Sequence, residues 1–74
     1  FEPFDVRQAL SEALAMMEPQ LKQRKVAITR TVPDAPIMVM GDRLRLEQVI
    51  INLLRNAIDA TRGVPEPAVD ILLA

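Results

Sequence analysis

Six polar residues between positions 45 and 59 recur at a spacing that could serve a ligand: Arg45, Gln48, Asn52, Arg55, Asn56 and Asp59. At about 100° per residue they fall in one helical stripe, with Asn52 near its centre. Leu46, Val49, Ile50, Leu53, Ala57 and Ala60 fill the arc on one side. Leu44, Ile51, Leu54 and Ile58 fill the other. A helix that is apolar on most sides is normally buried and carries no such stripe. A stripe of amides and mixed charge on such a helix reads as the wall of a polar cleft. An asparagine side chain offers both a donor and an acceptor. Its carbonyl oxygen is a hard, neutral ligand suited to Mg²⁺, which prefers oxygen and keeps several waters. Arg45 and Arg55 add charge that matches phosphate. The plainer reading is the solvated face of an amphipathic helix, and spacing alone leaves both open.

The helix that carries the stripe starts at Gly41-Asp42, with Asp42 as N-cap, and runs to about Thr61–Arg62. Gly63 is suited to a left-handed C-cap. An earlier helix starts at Asp5, where Asp5 and Gln8 form a capping-box pattern. Val6, Leu10, Ala13, Leu14, Met17 and Leu21 share one face of it. Pro19 deletes a helical hydrogen bond, so the pattern predicts a kink there or a helix ending near Glu18. Lys22, Arg24 and Lys25 read as the solvated end of that helix. Val26–Val32 alternates and predicts a strand, followed by a turn at Pro33–Pro36. Ile37–Met40 predicts a short buried strand, and Phe1–Phe4 a further short one. Ala68–Ala74 predicts a last strand with Val69, Ile71 and Leu73 on one face. Met16, Met17, Met38 and Met40 are expected to fill the core. The order predicts an α+β fold, a two-layer sandwich with helices on one face of a small mixed sheet.

The chain has 74 residues, about half of an average domain, and 50% of them are hydrophobic. Nine basic and ten acidic residues give a net charge of −1, which argues against nucleic acid as a partner. Two phenylalanines are the only aromatics, too few for base stacking. With no cysteine and no histidine, disulfides, thiolate or imidazole metal sites and nucleophile–histidine pairs are all excluded within this sequence. The lack of cysteine fits a cytosolic setting.

The stretch Asp42-Arg-Leu-Arg-Leu-Glu-Gln-Val-Ile-Ile-Asn-Leu-Leu-Arg-Asn-Ala-Ile-Asp-Ala60 resembles the N-box of sensor histidine kinases. That box belongs to the Bergerat-type (GHKL) ATP-binding fold, shared with gyrase B. Gln48, Val49, Asn52, Leu53, Asn56 and Ala57 match its pattern. Phe4-Asp5-Val6 and Arg24-Lys25-Val26-Ala27-Ile28 resemble the family's lead-in, so the likeness covers nearly the whole chain. The run from Asn52 to Ala60 is most similar to the nitrogen-regulation and C4-dicarboxylate sensor kinases.

The resemblance implies a role for each matched residue. Asn56 takes the place of the asparagine that ligates the Mg²⁺ bridging the ATP phosphates. Asn52 takes the place of the first box asparagine, close to phosphates and metal. Relatives that hydrolyse ATP carry a glutamate base there, which an amide cannot replace. Asp59 stands where many kinases carry a lysine or another polar residue near the nucleotide. Arg55 is a candidate for the phosphates, whereas Arg45 and Gln48 are structural or solvent-facing. The implied cofactors are ATP and Mg²⁺, and no residue here is assigned a catalytic role. The implied partners are a phosphoacceptor histidine on a helical domain and a response regulator, with a cytoplasmic setting and a parent protein that can be anchored in the inner membrane.

The family also uses an Asp-x-Gly-x-Gly motif for adenine and a glycine-rich lid. Gly41 and Gly63 are the only glycines here, and neither motif is present. Residues 1–74 are therefore expected to be the N-terminal portion of an ATP-binding domain. Such a fragment is expected to be inactive alone, to bind ATP weakly and to self-associate. The alternative is a non-catalytic interaction or dimerisation module derived from the same fold.

Overall fold

The computed structural model describes residues 1–73. Strand β1 (Glu2–Asp5) leads directly into helix α1 (Val6–Gln23), followed by β2 (Ala27–Thr31), β3 (Met38–Gly41), helix α2 (Arg43–Ala60) and β4 (Ala68–Leu72). The strands form two separate pairs rather than one sheet. β1 and β3 run antiparallel, with Phe4 opposite Val39. β2 and β4 run parallel, with Ile28 opposite Val69 and Arg30 opposite Ile71. The α+β layering stands, with both helices over the β2–β4 pair. The predicted end of the last strand at Ala74 lies outside the described residues.

Asp5 caps α1, but it closes on Arg7 rather than Gln8. Its carboxylate accepts the Arg7 backbone N–H at 3.0 Å and the Ile37 N–H at 3.1 Å. The Arg7 guanidinium returns to the same carboxylate at 2.9 Å and donates to the carbonyl oxygens of Pro33 and Asp34 at 3.2 and 2.7 Å. One ion pair thus joins the start of α1 to the β2–β3 loop.

Pro19 neither stops nor shortens α1, which continues four residues beyond it. The helix survives because both sides of the proline are held. Met17 is buried in the core, Leu21 packs against it, and Lys22 pairs with Glu18 at 2.8 Å across the gap. The chain then turns through Lys25, the one non-glycine residue with positive φ among those described. Its neighbour Val26 is buried and immediately precedes β2.

The core is small. Met17, Val26, Leu54 and Ile58 form its centre, with Leu14, Leu21, Ile28, Ile50, Ile51, Val69 and Ile71 packed around them. Phe4, Ala9, Leu10 and Ala13 extend the buried face of β1 and α1. Two expectations fail. β3 is not buried, since Met38, Val39 and Met40 are all exposed. Only Met17 of the four methionines is a core residue, and Met16 is exposed as well. Among the described residues β3 pairs only with the short β1, and no helix covers the outer face of that ribbon, where Met38 and Met40 project.

Candidate functional site

α2 positions the stripe, and three features fix α2. Asp42 caps its start by accepting the Arg45 N–H at 3.3 Å. Leu54 and Ile58 bury the arc that faces α1. At its end the Ile58 carbonyl accepts from the Thr61 backbone at 3.0 Å and the Thr61 hydroxyl at 2.6 Å, and Gly63 follows at φ +79°. The predicted left-handed residue is therefore Gly63, two positions after the Thr61 cap.

All six stripe residues, Arg45, Gln48, Asn52, Arg55, Asn56 and Asp59, are exposed. The side chains of Asn52 and Asn56 make no hydrogen bond within the described residues. Their amides sit one turn apart on an open face. Arg55 and Asp59 differ from them. They line a hollow of about 300 Å³ between the helices, together with Met17, Gln20, Gln23, Arg24 and Ile58. Asp59 lies 3.8 Å from the Arg24 guanidinium and 3.9 Å from that of Arg62. The structure thus brings Asp59 and Arg55 together on the α1 side of the stripe and leaves the two asparagines farther round.

Arg24, expected to be solvated, is only partly so. It also donates to the Ile58 carbonyl at 3.3 Å, so it holds the last turn of α2 from the end of α1. A contact of 34 residues' separation leaves no trace in local periodicity. Glu47 is a second residue that the stripe pattern does not include. It is 2% exposed, although it carries a carboxyl. Here a signal did exist, because the helical wheel places Glu47 inside the arc of Leu54 and Ile58.

The amides suit Mg²⁺ in their chemistry. Mg²⁺ is usually held by one or two protein oxygens, with waters and phosphate oxygens completing its shell. Among the described residues no cluster of three acidic side chains offers an all-protein metal site. A single exposed amide oxygen with its acceptor free matches the first arrangement.

The other apolar arc of α2 stays partly uncovered. Leu46, Ile50, Leu53, Leu54 and Ala57 line a groove of about 400 Å³ with Val6 and Leu10 of α1 and Val69, Ile71 and Leu73 at the last strand. Leu53 is 62% exposed beside it.

This arrangement of two helices over a β pair superposes on part of solved histidine kinase structures. The catalytic domain of histidine kinase ThkA, in a nucleotide-free form, superposes with a TM-score of 0.83 at 27% identity, over 97% of this chain and 48% of that one. The cytoplasmic segment of histidine kinase QseC superposes with a TM-score of 0.81 at 25% identity, over 97% and 46%. No protein-family profile matches the sequence. Individual relatives do. The C4-dicarboxylate transport sensor protein DctB of Pseudomonas aeruginosa is 39% identical over 59 residues, which is 80% of this chain and 10% of that protein. The two-component sensor PprA of the same organism is 41% identical over 85% of the chain, and the sensor protein TorS of Escherichia coli 41% over 81%. The chain therefore belongs with the sensor histidine kinases of two-component systems and corresponds to part of their catalytic domain. It spans about a tenth or less of the length of these relatives. C4-dicarboxylate sensors stand among the relatives at 30–39% identity, overlapping the 34–41% of the other sensors, which is compatible with that subgroup.

Proposed function

We propose that residues 1–74 are the N-terminal portion of an ATP-binding domain, and that the α2 stripe is one wall of its Mg·ATP site. The observation that supports this reading is the stripe itself. Six polar side chains stand exposed in register on a helix whose remaining faces are apolar apart from Arg43 and Glu47. Asn56 would hold Mg²⁺ through its amide oxygen, and Asn52 would stand close to the phosphates and the metal. Asp59 and Arg55 bound the far end of the site. Bound Mg²⁺ neutralises phosphate charge, the main electrostatic demand of phosphoryl transfer. Asn52, an amide, is no base for water, which suits transfer of the γ-phosphoryl to a histidine on a helical partner domain. A response regulator then accepts it. The setting is cytoplasmic.

The 74-residue chain supplies only this wall and is inactive alone. The test is an Mg·ATP titration followed by NMR amide shifts, run on this chain and on one extended to complete a domain of about 150 residues. The longer chain should bind, with shifts at Asn52, Asn56 and Asp59, while the short one stays silent. Asn56→Ala in the longer chain should weaken binding about tenfold or more, as expected for a lost metal ligand or its close support. If neither chain responds, the stripe is a solvated face, and the non-catalytic interaction module becomes the better reading.

A further inference from the structure

Glu47 is the one buried charged residue among those described, and nothing in the nucleotide reading uses it. It lies where α2 packs along α1. Arg43, one turn earlier on α2, approaches it at 3.4 Å from Nε to Oε2. The same Nε lies 3.8 Å from the Glu12 carboxylate of α1. Neither Arg43 Nε nor Glu47 Oε2 completes a hydrogen bond, although both atoms are shielded from solvent. Glu12 from α1 and Arg43 from α2 are the charged groups that act on Glu47.

The charge count in this cluster does not balance. Two carboxylates share one guanidinium, and one of the two carboxylates is out of water. An uncompensated buried charge is costly, and a single proton removes it. It also turns an acceptor-only group into a donor, able to bridge to the other carboxyl. We propose that Glu47 takes up a proton in this cluster, and that the protonated carboxyl, bridging to Glu12, clasps α2 to α1. The clasp loosens as the proton leaves. Because α2 also carries Asn52 and Asn56, the proton sets how firmly the helix of the stripe is seated. The inference stands whether or not that stripe binds nucleotide.

The Glu12 carboxyl within hydrogen-bond reach, followed by burial, pushes Glu47 above the ordinary glutamate range, with Arg43 opposing. A carboxyl raised in the folded state gives stability that is complete below the unfolded value. That stability is lost as pH rises through the folded value.

The experiment follows the side-chain carboxyl ¹³C shifts of the glutamate-labelled chain between pH 3 and 9. Urea unfolding of the wild type, Glu47→Gln and Glu12→Gln is measured over the same range. One glutamate resonance should titrate clearly above the ordinary value of about 4.3 and vanish in Glu47→Gln. The unfolding midpoint of Glu47→Gln should match the wild type near pH 4 and exceed it increasingly toward pH 8. If every glutamate titrates in the ordinary range, or if the two unfolding profiles run parallel, the proposal is overturned. Should Glu47→Gln not fold, the wild-type titration, assigned with Glu12→Gln, decides alone.

Discussion

Asp5 does more than cap a helix. Its carboxylate receives the first turn of α1, the Ile37 N–H before β3 and the guanidinium of Arg7, which reaches on to the β2–β3 loop. The Arg7 side-chain hydrogen bond is the main reason that Asp5 sits below the ordinary aspartate range; desolvation opposes it, and the Ile37 and Arg7 backbone N–H groups add to the lowering. A carboxyl lowered in the folded state contributes stability above its unfolded value of about 3.9. That contribution fades as pH falls through the folded value. Asp5→Asn keeps an acceptor at the cap but removes the charge that Arg7 needs. Its urea midpoint should lie below the wild type at pH 7, and the gap should close as the pH falls below 4. A gap that stayed constant down to pH 2 would mean that geometry alone, and not the charge, makes this junction.

α1 shows where sequence reading stops. The cap at Asp5, the buried face through Leu10, Ala13 and Met17, and the span of α2 were all readable, because caps and 3.6-residue periodicity are local signals. The continuation past Pro19 was not. It depends on Met17 and Leu21 finding Leu54 and Ile58 of another helix, and tertiary packing overrides a local penalty. The stripe was readable as a pattern, since its residues share one helix. Its grip by Arg24 was not, and neither was the split between two open asparagines and an Asp59 engaged with arginines. β3 was misplaced because a short apolar run cannot say whether it is covered. A further prediction follows from the proline. Pro19 is exposed, so its ring supports no core contact. Pro19→Ala restores an N–H for the Ala15 carbonyl and removes the ring clash, a gain of about 3 kcal/mol in a helix interior. Greater freedom of the unfolded chain takes back about 0.4–1 kcal/mol of that. Urea denaturation should therefore show a net stabilisation of about 2 kcal/mol. An unchanged midpoint would mean that the helix has already relaxed around the proline.

The chain as a whole has more apolar surface than it can cover. α2 buries the arc of Leu54 and Ile58 against α1 and leaves Leu53, Val49 and Leu44 exposed on its other sides. The groove beside Leu53 continues to β4, whose outer edge has no strand partner among the described residues, since β4 pairs with β2 alone there. A two-strand sheet is marginal by itself, and an open edge invites pairing with another chain. In ThkA the matched region is 48% of the solved chain, so the homologous domain contains as much polypeptide again. Without such cover, groove and edge together should drive self-association of the 74-residue chain. Sedimentation at about 100 µM, where complexes with a dissociation constant of that order are half formed, should give a weight-average mass above the monomer. Leu53→Lys should return it toward the monomer, because a charge at the mouth of the groove opposes burial while the exposed position makes small demands on the fold. If wild type and variant both sediment as sharp monomers, the groove is not an associating surface in this chain. If both associate equally, the β4 edge carries the contact, and a proline on β4 at Leu72 should then abolish it.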